Sequence, residues 1–457
     1  MPDIGLTHWV YLIGVIAVVV AMILRRGVVL IASLGILAVA LIYTGGNIIT
    51  AVQIVFAAFM EAGTDLFDIM LVIALMVGML RTMESMGSDY LMVAPIKKLL
   101  QKPTLAFFIL GAIMYVCALF FWPTPATALV GVILIPVAVK AGMPAMAAAM
   151  TVNILGHGMA LSGDMVLQGA PAITSGAADV PIEGILSSGA ILSLTAGIVA
   201  IIIAFFMVRK ELALGKGAEE STLVEAQPRE SYSGGARFIA IAVPVVFFFL
   251  VIFMAVTEIR GGSATSLLGG AAAIFILLGS LISHGHKALE KVGEYIREGL
   301  MFSIKIFAVV IPIAGFFFLG APGPAQAILG EGAPGLLFDL GGAFAATLPI
   351  SKIPVAFGIM VTGIITGLDG SGFSGLPLVG SLARALGGPL GINVSTLAAL
   401  GQVGAIFSGG GTLTAWAFGL VATAGVAGVS PLDLARKNFI PVVSGLLVAT
   451  ILAIIMM

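Results

Sequence analysis

Polar side chains able to bind or move ions gather at four interruptions of an otherwise apolar sequence. Two are short tips, Trp122-Pro123-Thr124-Pro125-Ala126-Thr127 and Asp369-Gly370-Ser371-Gly372-Phe373-Ser374-Gly375. Two lie inside longer apolar runs. One is Asn153-Ile154-Leu155-Gly156-His157-Gly158, continuing to Ser162-Gly163-Asp164; the other runs from Gln402 through Ser408-Gly409-Gly410-Gly411-Thr412. Each glycine inside a helix costs about 1 kcal/mol relative to alanine, so three in succession predict a break. A broken helix leaves unpaired N–H groups at one end and unpaired carbonyls at the other. The N–H end, at the positive pole of the helix dipole, suits an anion, and the carbonyl end suits a cation. Hydroxyls of Thr124, Thr127, Ser371, Ser374, Ser408 and Thr412 add orientable donors around these ends. With Asn153, Gly156, Gln402 and Gly409 they form a small polar lining, fit for a small hydrated anion with several oxygens.

Three titratable groups share these segments. Asp369, in the second tip, is either an ion- or proton-coupling carboxylate or the N-cap of the following helix. Asp164 follows a break and is open to the same two readings. His157 titrates in the range a proton relay needs, or is a hydrogen-bonded structural residue. Asn153 and Gln402 hold comparable places before the two breaks, which predicts that both line one site. Asp65, Asp68, Glu84 and Lys305 fall near expected helix ends, where solvated or snorkelling roles suffice. His284 and His286 are too sparse for a metal site, and the lone Cys117 allows neither a disulfide nor a thiolate cluster. No metal or cofactor is expected beyond a coupling proton or sodium ion.

The elements that must position these residues are membrane helices. Of 457 residues 60% are hydrophobic and 9% charged, and the mean hydropathy is +1.19, which places the chain in a bilayer. A net charge of −1 excludes nucleic acid as a partner. Crossing helices are predicted at 8–24, 27–43, 67–83, 143–175 (interrupted) and 184–207. A second set falls at 237–256, 264–284, 299–320, 393–427 (interrupted) and 438–457. The arms 104–121 with 125–139, and 353–366 with 376–388, read as two re-entrant hairpins around the tips. Residues 48–62 and 286–298 suit helices lying along the surface.

The halves resemble one another. Ala51/Ala288, Val55/Val292, Glu61/Glu298, Ile69/Ile306 and Val72/Val309 pair at one spacing of 237. The fold class predicted is therefore an all-α polytopic membrane protein of two inverted repeats, about ten spans with two hairpins and two interrupted helices. The first repeat occupies 1–207, a polar cytoplasmic linker 208–236 and the second repeat 237–457. With the loop at Arg25 and Arg26 cytoplasmic, 18 of the 21 Lys and Arg collect on that side, and both termini lie outside. The membrane implied is the bacterial inner membrane.

This layout resembles the ion transporter superfamily, in which inverted repeats carry re-entrant hairpins and broken helices. Within it, GIITGLDGSGFSGLPLVGSLARAL is similar to the second hairpin of lactate permeases, and MLVIALMVGMLRTMESMG to a segment of gluconate permeases. The Ser-Asn-Thr signatures of the dicarboxylate branch are absent. The resemblance implies a homodimer and an elevator-like movement of the hairpin-bearing part. Residues and resemblance together predict a secondary transporter of a small organic anion, a monocarboxylate or hydroxy acid, coupled to protons rather than sodium. Alternatives are a sodium/proton antiporter, in which Asp369 and Asp164 would converge, and the membrane subunit of a binding-protein-dependent carboxylate transporter. An enzyme would have to rest on His157 with Asp164, and no nucleotide-binding loop is present.

Overall fold

A computed structural model describes residues 4–23, 26–214, 229, 231–257, 259, 262–308, 310–347, 351–370, 372–373, 375–415 and 417–457. All regular structure among them is helical. Seven helices are long and apolar enough to cross a bilayer, and up to ten if each bent pair forms one span. The chain is a multi-pass membrane protein.

It opens with α1 (Leu6–Ile23) and α2 (Val29–Tyr43), then α3 (Ile48–Met86). The Asn47 side chain accepts from Thr50 N at 3.2 Å to start α3, and Gly87, at φ 75°, ends it. At 39 residues α3 is about 58 Å long by the helical rise, roughly twice the hydrocarbon core. The expected division into a surface helix at 48–62 and a span at 67–83 does not occur. Gly63 alone, among Ala, Leu and Met, is too weak a breaker to separate them.

In the second half the corresponding stretch does break. After α12 (Gly234–Thr257) and α13 (Gly262–His284), α14 (Ala288–Phe307) continues past the expected boundary at 299 and gives way to α15 (Val310–Phe318). Pro312 lacks the N–H that would bond back across the junction. Lys305 consequently lies in the last turn of α14, not at a helix start.

At Gly87 the chain turns by 93° into α4 (Ser88–Val93) and a 3-10 turn, Ala94–Leu99. The first hairpin follows: α5 (Pro103–Phe121), then α6 (Pro123–Ala126), a π-helical stretch Thr127–Gly131 and α7 (Val132–Lys140) packed back along α5. Next come α8 (Ala145–Val152), a π-helical stretch Asn153–Ala160, α9 (Leu161–Gly163), α10 (Gly169–Ala178) and α11 (Ile182–Leu214).

The second half repeats this order. α16 (Pro322–Leu329) leaves α15 at 101°, and α17 (Leu336–Thr347) fills a stretch for which the sequence predicts no element. The second hairpin is α18 (Lys352–Thr366), a 3-10 turn Gly367–Asp369 and α19 (Leu376–Gly387). Then α20 (Val394–Phe407) leads into a π-helical stretch Ser408–Thr412, α21 (Phe418–Ala427) and α22 (Pro431–Met456).

Small residues let the inner helices touch backbone to backbone, as membrane packing requires. A Cβ on Gly445 of α22 would lie 2.2 Å from Ala196 O of α11, and one on Gly363 of α18 would lie 2.4 Å from Gly401 O of α20. At one end of the molecule Arg81 bonds Glu84 at 2.6 Å and approaches Glu298 at 3.6 Å. Arg229 donates there to Glu84 O and Ser85 O at 2.9 and 3.1 Å. Both arginines belong to the set that the distribution of basic residues assigns to one face.

Candidate substrate site between the hairpin tips

The two tips meet. The ring of Trp122 lies 5.3 Å from that of Phe373, which is 6.1 Å from Phe307, and Trp122 and Phe373 are both buried. Trp122 holds φ 66°, a left-handed backbone that costs a bulky residue on the order of 1 kcal/mol or more; packing between the tips holds it there. The second tip rests on the glycine run. A Cβ on Gly409 would stand 2.5 Å from both Gly367 O and Gly372 N, and Gly372 itself has φ 74°. Ser371 and Ser374 of this tip, and the side chain of Asp369, lie outside the described residues.

The glycines of the second run end their helix where the sequence predicts, and those of the first do not. Asn153–Ala160 widens into π turns and its helix continues to Gly163, which keeps backbone groups paired, whereas Ser408–Thr412 widens and then loses its helical course at Gly411. The first-half break comes just downstream, at Asp164 (φ 36°), and the second-half break falls within the glycine run, at Gly411 (φ 120°). Matching helices of this part are offset by more than 237: α5 and α18 begin at Pro103 and Lys352, α8 and α20 at Ala145 and Val394, α10 and α21 at Gly169 and Phe418, and α11 and α22 at Ile182 and Pro431, one constant spacing. At that spacing Gln402 is the counterpart of Asn153, as the sequence predicts.

Between the π turns lies a buried polar cluster. Asn438 of α22 donates through Nδ2 to Asn153 Oδ1 at 2.8 Å and to the Thr412 carbonyl at 3.2 Å. Gln402 Nε2 donates to Ser162 O at 2.8 Å, tying the two interrupted helices together. His157 Nε2 lies 3.4 Å from Thr124 Oγ1 at the first tip. A Cβ on Gly419, at the start of α21, would touch its imidazole at 2.2 Å. Asn153 Nδ2, His157 Nδ1, Gln402 Oε1, Ser408 Oγ, Thr414 Oγ1 and Asn438 Oδ1 are buried without a hydrogen-bond partner among the described residues. Buried polar groups are seldom left so, and these six make the region a candidate site for a polar ligand.

Three sequence candidates do other work. Thr127 Oγ1 donates to Pro123 O at 2.8 Å within its own turn. The Thr412 hydroxyl donates to the Phe407 carbonyl, so that residue serves the cluster through its own carbonyl. Gly156 faces Met114 of α5, where a Cβ would come within 2.4 Å of the Met114 methyl, so it is a packing glycine.

The two short helices after the breaks differ at their N-termini. Asp164 Oδ2 accepts from Ala170 N at 3.0 Å, so α10 is capped by a carboxylate. α21 follows Ala417 with no side-chain cap, and the residue in the place of Asp164 is Leu413. The positive end of α21 therefore faces His157 and Thr124 without an acidic neighbour from its own cap.

No family model matches the chain. It is 36% identical, over the full length of both chains, to the uncharacterized membrane protein YhfA of Bacillus subtilis (strain 168). The chain belongs to the YhfA family. Its fold is that of the Alcanivorax borkumensis YdaH transporter, whose crystal structure superposes with a TM-score of 0.59 at 18% identity, over 89% of this chain and 88% of that one. Neither is described as a lactate or gluconate permease, so the finer resemblance drawn from sequence gains no support from them.

In this YhfA-family chain the residue the sequence reading passed over is Asn438. It stands near the start of an apolar span, and a lone amide at membrane depth is itself a signal of function or specific pairing. Asp164 gives a direct test of capping. Asp164→Asn keeps an acceptor for Ala170 N and is expected to melt within a degree or two of the wild type. Asp164→Ala removes it and is expected to cost about 1 kcal/mol. Thermal unfolding of the two variants in detergent separates a cap from a carboxylate needed for its charge.

Proposed function

We propose that this protein is a secondary active transporter of a small organic anion, a monocarboxylate or hydroxy acid, coupled to protons. The supporting observation is the uncapped N-terminus of α21 beside Thr124 and His157, within a cluster of buried polar atoms that lack partners. On this reading the carboxylate of the substrate lies at the α21 N–H groups, and Thr124 donates a hydroxyl hydrogen bond to it. His157 supplies the proton-bearing nitrogen, and Asn153, Ser408 and Asn438 bind the substrate's hydroxyl groups. Gln402 positions the two helices. Asp164 is engaged with α10, which disfavours an antiporter built on Asp164 and Asp369.

The same reading places both hairpins and both π-widened helices in one moving part. Inverted orientation of the halves, an inner-membrane location with both termini outside, and a homodimeric assembly complete it as proposals.

Purified protein in liposomes tests this. Labelled lactate or gluconate is expected to accumulate when the outside is acidified, and not with a sodium gradient alone. His157→Ala is expected to raise the half-saturating concentration about tenfold, equivalent to about 1.4 kcal/mol. Uptake driven by sodium alone, or unchanged in His157→Ala, would overturn the assignment.

A further inference from the structure

A second cavity lies away from the tips, between α3, α4, α5 and α12. Its volume is about 720 Å³, within the range of sites that hold small ligands. Met79, Met92, Cys117, Phe121, Val245 and Phe247 represent its walls, and Arg237 is the only charged residue among those that line it. So apolar a groove suits hydrocarbon.

Its rim is basic. Arg237 and Lys98 are exposed, as is Lys102 nearby, and their side chains make no ion pair or hydrogen bond among the described residues. Lys97 beside them donates to Tyr90 OH at 3.0 Å and lies 4.8 Å above the Tyr90 ring. Tyr90 in turn stacks on Tyr232 at 6.1 Å, just before α12. The acids where α3 turns into α4 are engaged: Glu84 bonds Arg81, and Asp89 has Arg229 as its neighbouring cation. Uncompensated positive charge at the mouth of an apolar groove complements a molecule with an anionic head and a hydrocarbon tail.

We propose that this groove binds an anionic phospholipid, with an acyl chain along α5 and α12 and the phosphate at Arg237 and Lys98. It stands independently of the transport reading. Since α5 ends at the first tip while α3 and α12 are outside that hairpin, a lipid here touches two parts of the protein at once. Its occupancy would bias where the hairpin rests.

The test uses the full-length protein in phosphatidylcholine nanodiscs containing a minor share of phosphatidylglycerol. Native mass spectrometry counts the lipid retained. Phosphatidylglycerol is expected to be retained over phosphatidylcholine, with about a fivefold weakening in Arg237→Ala, the order expected for one basic contact. Arg237→Lys is expected to restore retention, which separates lost charge from misfolding. Val245→Trp, on the apolar wall, is expected to displace the lipid without changing charge. Arg209→Ala, a basic residue of α11 outside the groove, is expected to leave retention intact. Equal retention of both lipids, or equal weakening in Arg209→Ala and Arg237→Ala, would overturn the proposal. So would a rise in retention when Glu219, Glu220 and Glu225 are changed to Gln, since that would make the acidic linker the occupant.

Discussion

Gly409→Ala is expected to abolish uptake and to destabilise the protein by about 2–3 kcal/mol, although it adds a single methyl group. The new Cβ would sit 2.5 Å from Gly367 O and 2.5 Å from Gly372 N. Both are backbone atoms, so no side-chain rotation can relieve the contact. Gly367 belongs to the 3-10 turn of the second hairpin, and Gly372 is held at φ 74°, so the tip would have to lift from the π turn as a unit. That movement would also strip Phe373 from Trp122 and open the cluster to water. Gly425→Ala is the control: it lies inside α21, and nothing stands within 4 Å of its added Cβ. There alanine is expected to raise stability by up to about 1 kcal/mol through helix propensity. Melting curves of the two variants, with uptake measured in parallel, check the contrast. Equal melting points would mean that the tip does not dock on the glycine run.

What the sequence reveals here depends on how local the signal is. Hairpin tips at Trp122 and at Asp369–Gly375 are legible because Pro and Gly punctuate apolar runs, and the structure turns at both. Capping at Asp164 is legible for the same reason, as an acid placed just ahead of a new helix. Continuity is harder. Polar residues at Glu61, Asp65 and Asp68 suggest an end to the surface helix, yet helix propensity carries α3 through them. Glycine runs announce a weakness, but not whether it resolves as a gap or as a π turn, because that depends on what packs alongside. At Gly409 the partner is the backbone of a hairpin some forty residues earlier, and at Gly411 it is the start of α21. The correspondence of Asn153 with Gln402 is legible because both precede a glycine-rich interruption, even though the spacing between the halves shifts along the chain. Asn438 is missed because its importance lies in two acceptors far away in sequence, Asn153 and Thr412.

Those two acceptors set the other large effect. Asn438→Leu is nearly equal in size but donates nothing, leaving Asn153 Oδ1 and the Thr412 carbonyl buried and unpaired. Each unsatisfied group costs about 1–3 kcal/mol in a protein interior. Hydrogen bonds between membrane helices measure less, about 0.6 kcal/mol on average, because the unfolded state in lipid finds other partners. The bifurcated geometry at 2.8 and 3.2 Å, joining α22 to both π turns, puts the expected loss at about 2–3 kcal/mol. The double variant Asn153→Leu with Asn438→Leu decides whether the pair itself is responsible. With both amides replaced by apolar groups, only the Thr412 carbonyl remains exposed to an apolar neighbour. The double variant is then expected to be less destabilised than the sum of the two single ones, by about 1 kcal/mol. Strict additivity in thermal unfolding would show that Asn438 stabilises the fold by packing alone, and that the two π turns are not joined through its amide.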